Sequence, residues 1–105
     1  MTTETLQVTS VTTKANVYFD GKCVSHDLQL PDGSRKSVGV VLAAELSFGT
    51  AAPERMECVG GACEYQLEPQ GPWQTCEPGQ SFSIAGDSRF NIRVAEAFHY
   101  ICHYG

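Results

Sequence analysis

Three observations predict an all-β protein built as a single domain. The chain is 105 residues long, enough for one hydrophobic core and too short for two. Short runs rich in Val, Ile, Phe, Tyr and Thr recur along it, with Gly, Pro and Asp in the gaps between them. No stretch shows the 3.6-residue apolar period of an amphipathic helix. Many short strands so spaced imply a sandwich or a barrel, and turn composition does not choose between the two.

In order, the Thr-rich residues 1–14 read as an N-terminal arm, weakly ordered or added as an edge strand. Strands are expected over 16–20, 23–30, 37–48, 55–59, 62–67, 81–84, 90–94 and 99–104. The turns between them carry Asp20-Gly21, Pro31-Asp32-Gly33, Gly60-Gly61, Pro69-Gln70-Gly71-Pro72, Pro78-Gly79 and Gly86-Asp87. These residues supply a positive φ or a fixed one where the chain reverses. The main domain is expected to span 15–105.

Composition narrows the partners. The net charge is −5, and of the seven Lys and Arg residues only Arg35 and Lys36 are adjacent, so no basic stripe exists to track a nucleic-acid polymer. The N-terminus carries no apolar run of signal-peptide length and nothing approaches a membrane span, which points to the cytoplasm. Five cysteines, an odd number with no CxxC spacing, read as reduced and largely buried thiols.

Glu54, followed after six residues by Gly61, and Gly79 followed by Phe82, Gly86 and Phe90, are spaced in a way that resembles the two cupin motifs. The resemblance implies a jelly-roll barrel of the cupin type, a double-stranded β-helix. On that alignment Phe48, Thr50 and Phe90 stand where cupins place their three metal-binding histidines. Glu54 alone remains of the four ligands, and one carboxylate does not hold a transition metal tightly, so no metal cofactor is expected.

A fuller likeness covers Ala15 to Gly105. Tyr18-Phe19 with Gly21-Lys22, Ser37 to Val40, Phe48 and Thr50, Pro53-Glu54, Trp73, Val94-Ala95-Glu96, and Tyr100, Cys102 and Tyr104 together resemble the pyrimidine/purine nucleoside phosphorylase family. The sequence departs from the family at Ile84-Ala85-Gly86, where a Val-Pro-Gly-like turn is usual, and in the arm before Ala15. The resemblance implies phosphorolysis of nucleosides to free base and pentose 1-phosphate, with inorganic phosphate as co-substrate and broad base specificity.

That chemistry needs a partner for a sugar that gains positive charge, donors for phosphate, and a flat apolar surface for the base. Strand alternation from the first cupin motif would turn Phe48, Thr50, Glu54 and Met56 into the barrel. Glu54 is the candidate to accept sugar hydroxyls and stabilise the cationic sugar. A salt bridge to Arg35, Arg93 or Lys22 is the competing explanation of it. Arg35, helped by Ser37, is the candidate phosphate ligand, because a guanidinium binds two oxygens at once.

Phe48, Phe90, Tyr100 and Tyr104 are candidates for the substrate surface. His26, His99 and His103 are possible donors to the leaving base, each more often an ordinary strand residue. Two other functional classes compete: a metal-dependent cupin enzyme recruiting His99 or His103 beside Glu54, and a cupin that binds a nucleoside or sugar without turnover. Because a small barrel has edges that benefit from covering, a homodimer is expected.

Overall fold

The computed structural model describes residues 5–104. Nine strands form one sheet in these residues: β1 (Ser10–Val11), β2 (Asn16–Tyr18), β3 (Cys23–Gln29), β4 (Arg35–Gly49), β5 (Glu54–Gly61), β6 (Cys63–Gln66), β7 (Gln74–Cys76), β8 (Ser81–Ile84) and β9 (Arg89–Tyr104). The order β1-β3-β4-β9-β5-β8 makes β9 the spine. It pairs antiparallel with β4 along nearly its whole length. On its other side it pairs with β6 near the start and β5 near the end.

Alternation builds the core, because successive side chains on a strand face opposite ways. Phe90, Ile92 and Val94, then Phe98, Tyr100 and Cys102, are all buried along β9, against Met56 and Cys58 of β5 and Phe82 and Ile84 of β8. Ile92 and Phe98 are fully buried. Truncation to Ala would cost about 2–5 kcal/mol at Ile92 and about 3–5 kcal/mol at Phe98.

Two irregularities bend the long strands. Between the pairs Leu42↔Ala97 and Ala44↔Val94, Ala95 and Glu96 stand opposite Ala43 alone. Such a bulge bends a strand and increases its twist. It also moves the inward set of β4 from Ser37, Gly39 and Val41 to Leu46 and Phe48. A second shift leaves Val59 unpaired between Cys58 and Gly60. Just beyond, Gly61 adopts φ +68°, and a Cβ there would overlap the Ala97 carbonyl oxygen.

Four local features differ from the sequence expectations. The runs 90–94 and 99–104 form one strand, because the residues between them make a bulge and not a turn. The run 16–20 ends at Tyr18, where Phe19 and Asp20 take left-handed φ values of 53° and 54°. A single 3-10 turn spans Phe19–Gly21. Gln74–Cys76, too short to stand out in sequence, pairs with Cys63–Tyr65. Within the arm, Ser10 and Val11 pair with Gln29 and Leu28 of β3, while residues 1–4 lie outside the described residues. Among the described residues no helix is long and apolar enough to cross a membrane.

Candidate active site

A cavity of about 140 Å³ opens at one end of the core, lined by residues from β2, β3, β4, β5 and β9. The strand register explains who meets there. Asp27, Ser37, Cys102, Met56 and Phe82 form one cross-strand row. In the next inward row, Tyr104 and Glu54 line the cavity, with Ile84 buried beside Glu54. Phe48 and Phe90, a directly paired couple of β4 and β9, close one side with stacked rings 5.5 Å apart.

The floor is set by Gly39. A Cβ at this position would lie 2.6 Å from the Val24 carbonyl oxygen and 2.8 Å from the Tyr100 hydroxyl, so only glycine leaves room for Tyr100. The Tyr100 hydroxyl contacts Cys23 Sγ at 3.5 Å, and burial drives its proton affinity far up.

Nearer the mouth, the hydroxyls of Ser37 and Tyr104 share a hydrogen bond of 2.9 Å. The Cys102 thiol donates to Glu54 Oε1 at 3.4 Å. Burial, with the Glu54 charge beside it, pushes the Cys102 thiol up to about 12. Burial likewise raises the Tyr104 hydroxyl to about 12, against the pull of Ser37. Both stay protonated and serve as neutral donors over the physiological range.

Glu54 is half-buried, and among the described residues it makes no salt bridge. Burial raises its carboxyl above the ordinary glutamate value, and the Cys102 thiol and the more distant Arg35 charge pull it back. Of the sequence's proposed salt-bridge partners, Arg93 is engaged elsewhere, with its Nε 2.8 Å from Glu64 and its guanidinium over Trp73. A carboxylate facing a lined cavity without a cation beside it is poised to receive polar groups of a ligand.

The cavity brings together Glu54, Phe48, Met56, Ser37, Tyr100, Tyr104 and Phe90 of the residues singled out from sequence. Arg35 stays outside the lining. Its guanidinium lies over the Tyr104 ring, 4.1 Å from the centroid, and 3.7 Å from Asp27. Thr50 is also outside. Strand β4 ends at Gly49, and the Thr50 hydroxyl instead donates to the Ala85 carbonyl at 2.7 Å in the neighbouring loop.

All three histidines face away from the cavity. His26 bonds the Thr12 carbonyl, His103 lies between Lys36 and Glu57, and His99 packs on Gly60. Sequence reasoning missed Tyr18, Ser25, Val41 and Gly49 as lining residues. Cys102, turned inward by the parity it shares with Tyr100 and Tyr104, lines the cavity as that alternation implies. Tyr18 was not legible, because the left-handed bend after it decides where it points.

The family described as pyrimidine/purine nucleoside phosphorylase matches residues 13–104. A protein named pyrimidine/purine nucleoside phosphorylase from Acidovorax sp. (strain JS42) is 68% identical over 105 residues, covering all of both chains. One of the same name from Ralstonia nicotianae is 64% identical over 104 residues, 99% of each chain.

Among solved structures, a protein of unknown function from Acinetobacter sp. ADP1 superposes with a TM-score of 0.88 at 40% identity, covering 91% of this chain and 93% of that one. The EutQ protein of Clostridium difficile, at a TM-score of 0.66 and 14% identity over 78% of this chain and 67% of that one, shares the fold alone. The fold is the cupin-type barrel that the motif spacing implied.

Proposed function

Because this chain belongs to the pyrimidine/purine nucleoside phosphorylase family, we propose that it catalyses phosphorolysis of purine and pyrimidine nucleosides, as a pentosyltransferase. The observation that carries the reading is Glu54, without a salt bridge among the described residues, set in a cavity with phenol, thiol and hydroxyl donors and an aromatic side. At about 140 Å³ the cavity is smaller than a site that swallows a two-ring ligand, for which about 300–1,000 Å³ is usual. The sugar enters it, and the base rests at the mouth against Phe48 and Tyr18.

A phosphate oxygen attacks C1′ as the C–N bond breaks. The bonding pair leaves with the base nitrogen, which takes up the proton carried by hydrogen phosphate, so free base and pentose 1-phosphate account for all atoms. Glu54 accepts the sugar hydroxyls and stabilises positive charge on the ring. Ser37 and Tyr104 orient the sugar, and Arg35 at the mouth attracts the phosphate. A base that only stacks at the mouth is read by its π-face, which supports broad specificity.

The reading requires no metal. Its support is the donor set: among the described residues no three His, Cys, Asp or Glu side chains are grouped to hold an ion. Five free cysteines suit a reducing cytoplasm, and the exposed Val11, Val17, Leu42 and Val59 suit a homodimer.

The test is incubation of chelator-treated protein with uridine or inosine, with and without phosphate, following uracil and hypoxanthine. Base release that requires phosphate and survives the chelator is expected. Absence of release, or release indifferent to phosphate, refutes the reading.

A further inference from the structure

The chain is acidic, yet Arg35, Lys36 and Arg55, three of its seven Lys and Arg residues, collect at one end of the sheet. In register, Lys36 pairs with His103, His103 with Arg55, and Arg55 with Ser83. These four form one row across β4, β9, β5 and β8, adjacent to the buried row of Ser37, Cys102, Met56 and Phe82. Alternation therefore turns them to the outside of the barrel. An open cleft of about 420 Å³ is lined by all four together with Pro53, Glu54 and Tyr104.

The polar contacts in the row are specific. Lys36 Nζ donates to His103 Nδ1 at 2.6 Å, which fixes the tautomer that donates from Nε2 to Glu57 Oε1 at 2.8 Å. Arg55 Nη1 lies 3.9 Å from the same carboxylate oxygen. Among the described residues Lys36 makes no salt bridge, and two of its ammonium hydrogens remain free of His103. At about 4.8 Å per strand, Lys36 and Arg55 stand roughly 10 Å apart at the backbone, a span that two long side chains close around a tetrahedral anion.

We propose that this outward row is an anion subsite for inorganic phosphate, joined to the sugar cavity across Glu54 and Tyr104. It rests on the phosphorolysis reading and deepens it. The two pockets share Glu54 and Tyr104, so phosphate held by Lys36, Arg55 and the Ser83 hydroxyl borders the place where C1′ would lie. The carboxylates facing it are Glu57, already engaged by His103 and Arg55, and Glu54, whose charge is disfavoured by burial. Arg35, on the other side of the Tyr104 ring, completes a cationic rim.

The experiment compares wild-type protein with the Lys36→Gln/Arg55→Gln double variant. Phosphate binding is measured by calorimetry, and phosphate and uridine KM by steady-state kinetics. Loss of two charge-assisted contacts should raise phosphate Kd and KM about tenfold or more, with uridine KM nearly unchanged. If wild type turns over and phosphate KM is the same in the variant, the subsite is refuted while the phosphorylase reading stands. If wild type binds phosphate but releases no base, and the double variant loses that binding, the subsite stands and the phosphorylase reading falls. Should the double variant melt below the assay temperature, Lys36→Gln alone is read by the same criteria.

Discussion

Replacing Glu54 by Gln should weaken the reaction and strengthen the fold at once. The carboxylate is half-buried, makes no salt bridge among the described residues, and has the Cys102 thiol, a weak donor at 3.4 Å, as its hydrogen-bonding partner. Gln keeps an acceptor oxygen for that thiol, so the loss on the folded side is about 0.5 kcal/mol or less. The gain is relief from desolvating a charge. Burial raises the Glu54 carboxyl, so the unfolded chain ionises it first. Its unfavourable contribution thus sets in as pH rises from the unfolded value through the folded one, and is absent at pH values below both.

The expected result is a melting temperature at pH 7 equal to or above that of wild type, with the difference vanishing at acid pH. Turnover, deprived of the charge that faces the cationic sugar, should fall about 10²- to 10³-fold, or roughly 3–4 kcal/mol in transition-state stabilisation. The assay is thermal unfolding at pH 4 and 7 beside initial rates of uracil release. A clear fall in stability at pH 7 would show that Glu54 is held by a structural ion pair, and the reasoning would fail.

Two further outcomes follow from the same geometry. Cys102 and Tyr104, with ordinary values of 9.0 and 10.0, are both pushed up to about 12 by burial, so the unfolded chain releases these protons first. The stability they confer is complete below pH 9 and is lost as pH climbs toward 12. Alkaline denaturation followed by circular dichroism should show this decline, less steep in Cys102→Ala. Gly61→Ala combines a left-handed backbone with a clash on the Ala97 carbonyl and should cost about 3 kcal/mol or more in urea unfolding. Gly79→Ala, also at positive φ but facing open space, should cost about 1 kcal/mol. Equal effects would show that the clash does not matter.

Period-two alternation made much of the cavity legible, because Phe90 and the even-numbered end of β9 keep one parity throughout. Adding two residues at the bulge, Ala95 and Glu96, leaves that parity intact. On β4 the single Ala43 inverts it, so Ser37 and Phe48, one odd and one even, both line the cavity. The cupin motif placed Phe48, and Ser37 was chosen as a helper to Arg35, where alternation alone would have rejected one of the two. Thr50 followed the rule past the point where the strand ends. The outward row of Lys36, Arg55, His103 and Ser83 was invisible in sequence, since it depends on the register of four strands distant along the chain.

The place of β9 has a consequence for synthesis. Among the described residues β4 and β5 are joined only through that later strand, so a nascent chain on the ribosome presents fifteen residues of β4 with one flank of amides and carbonyls unclaimed. Until β9 emerges, such an edge invites pairing with a neighbouring copy, and the Tyr100 to Tyr104 wall of the cavity does not yet exist. Fast delivery of the C-terminal residues therefore guards against aggregation and completes the pocket in one event.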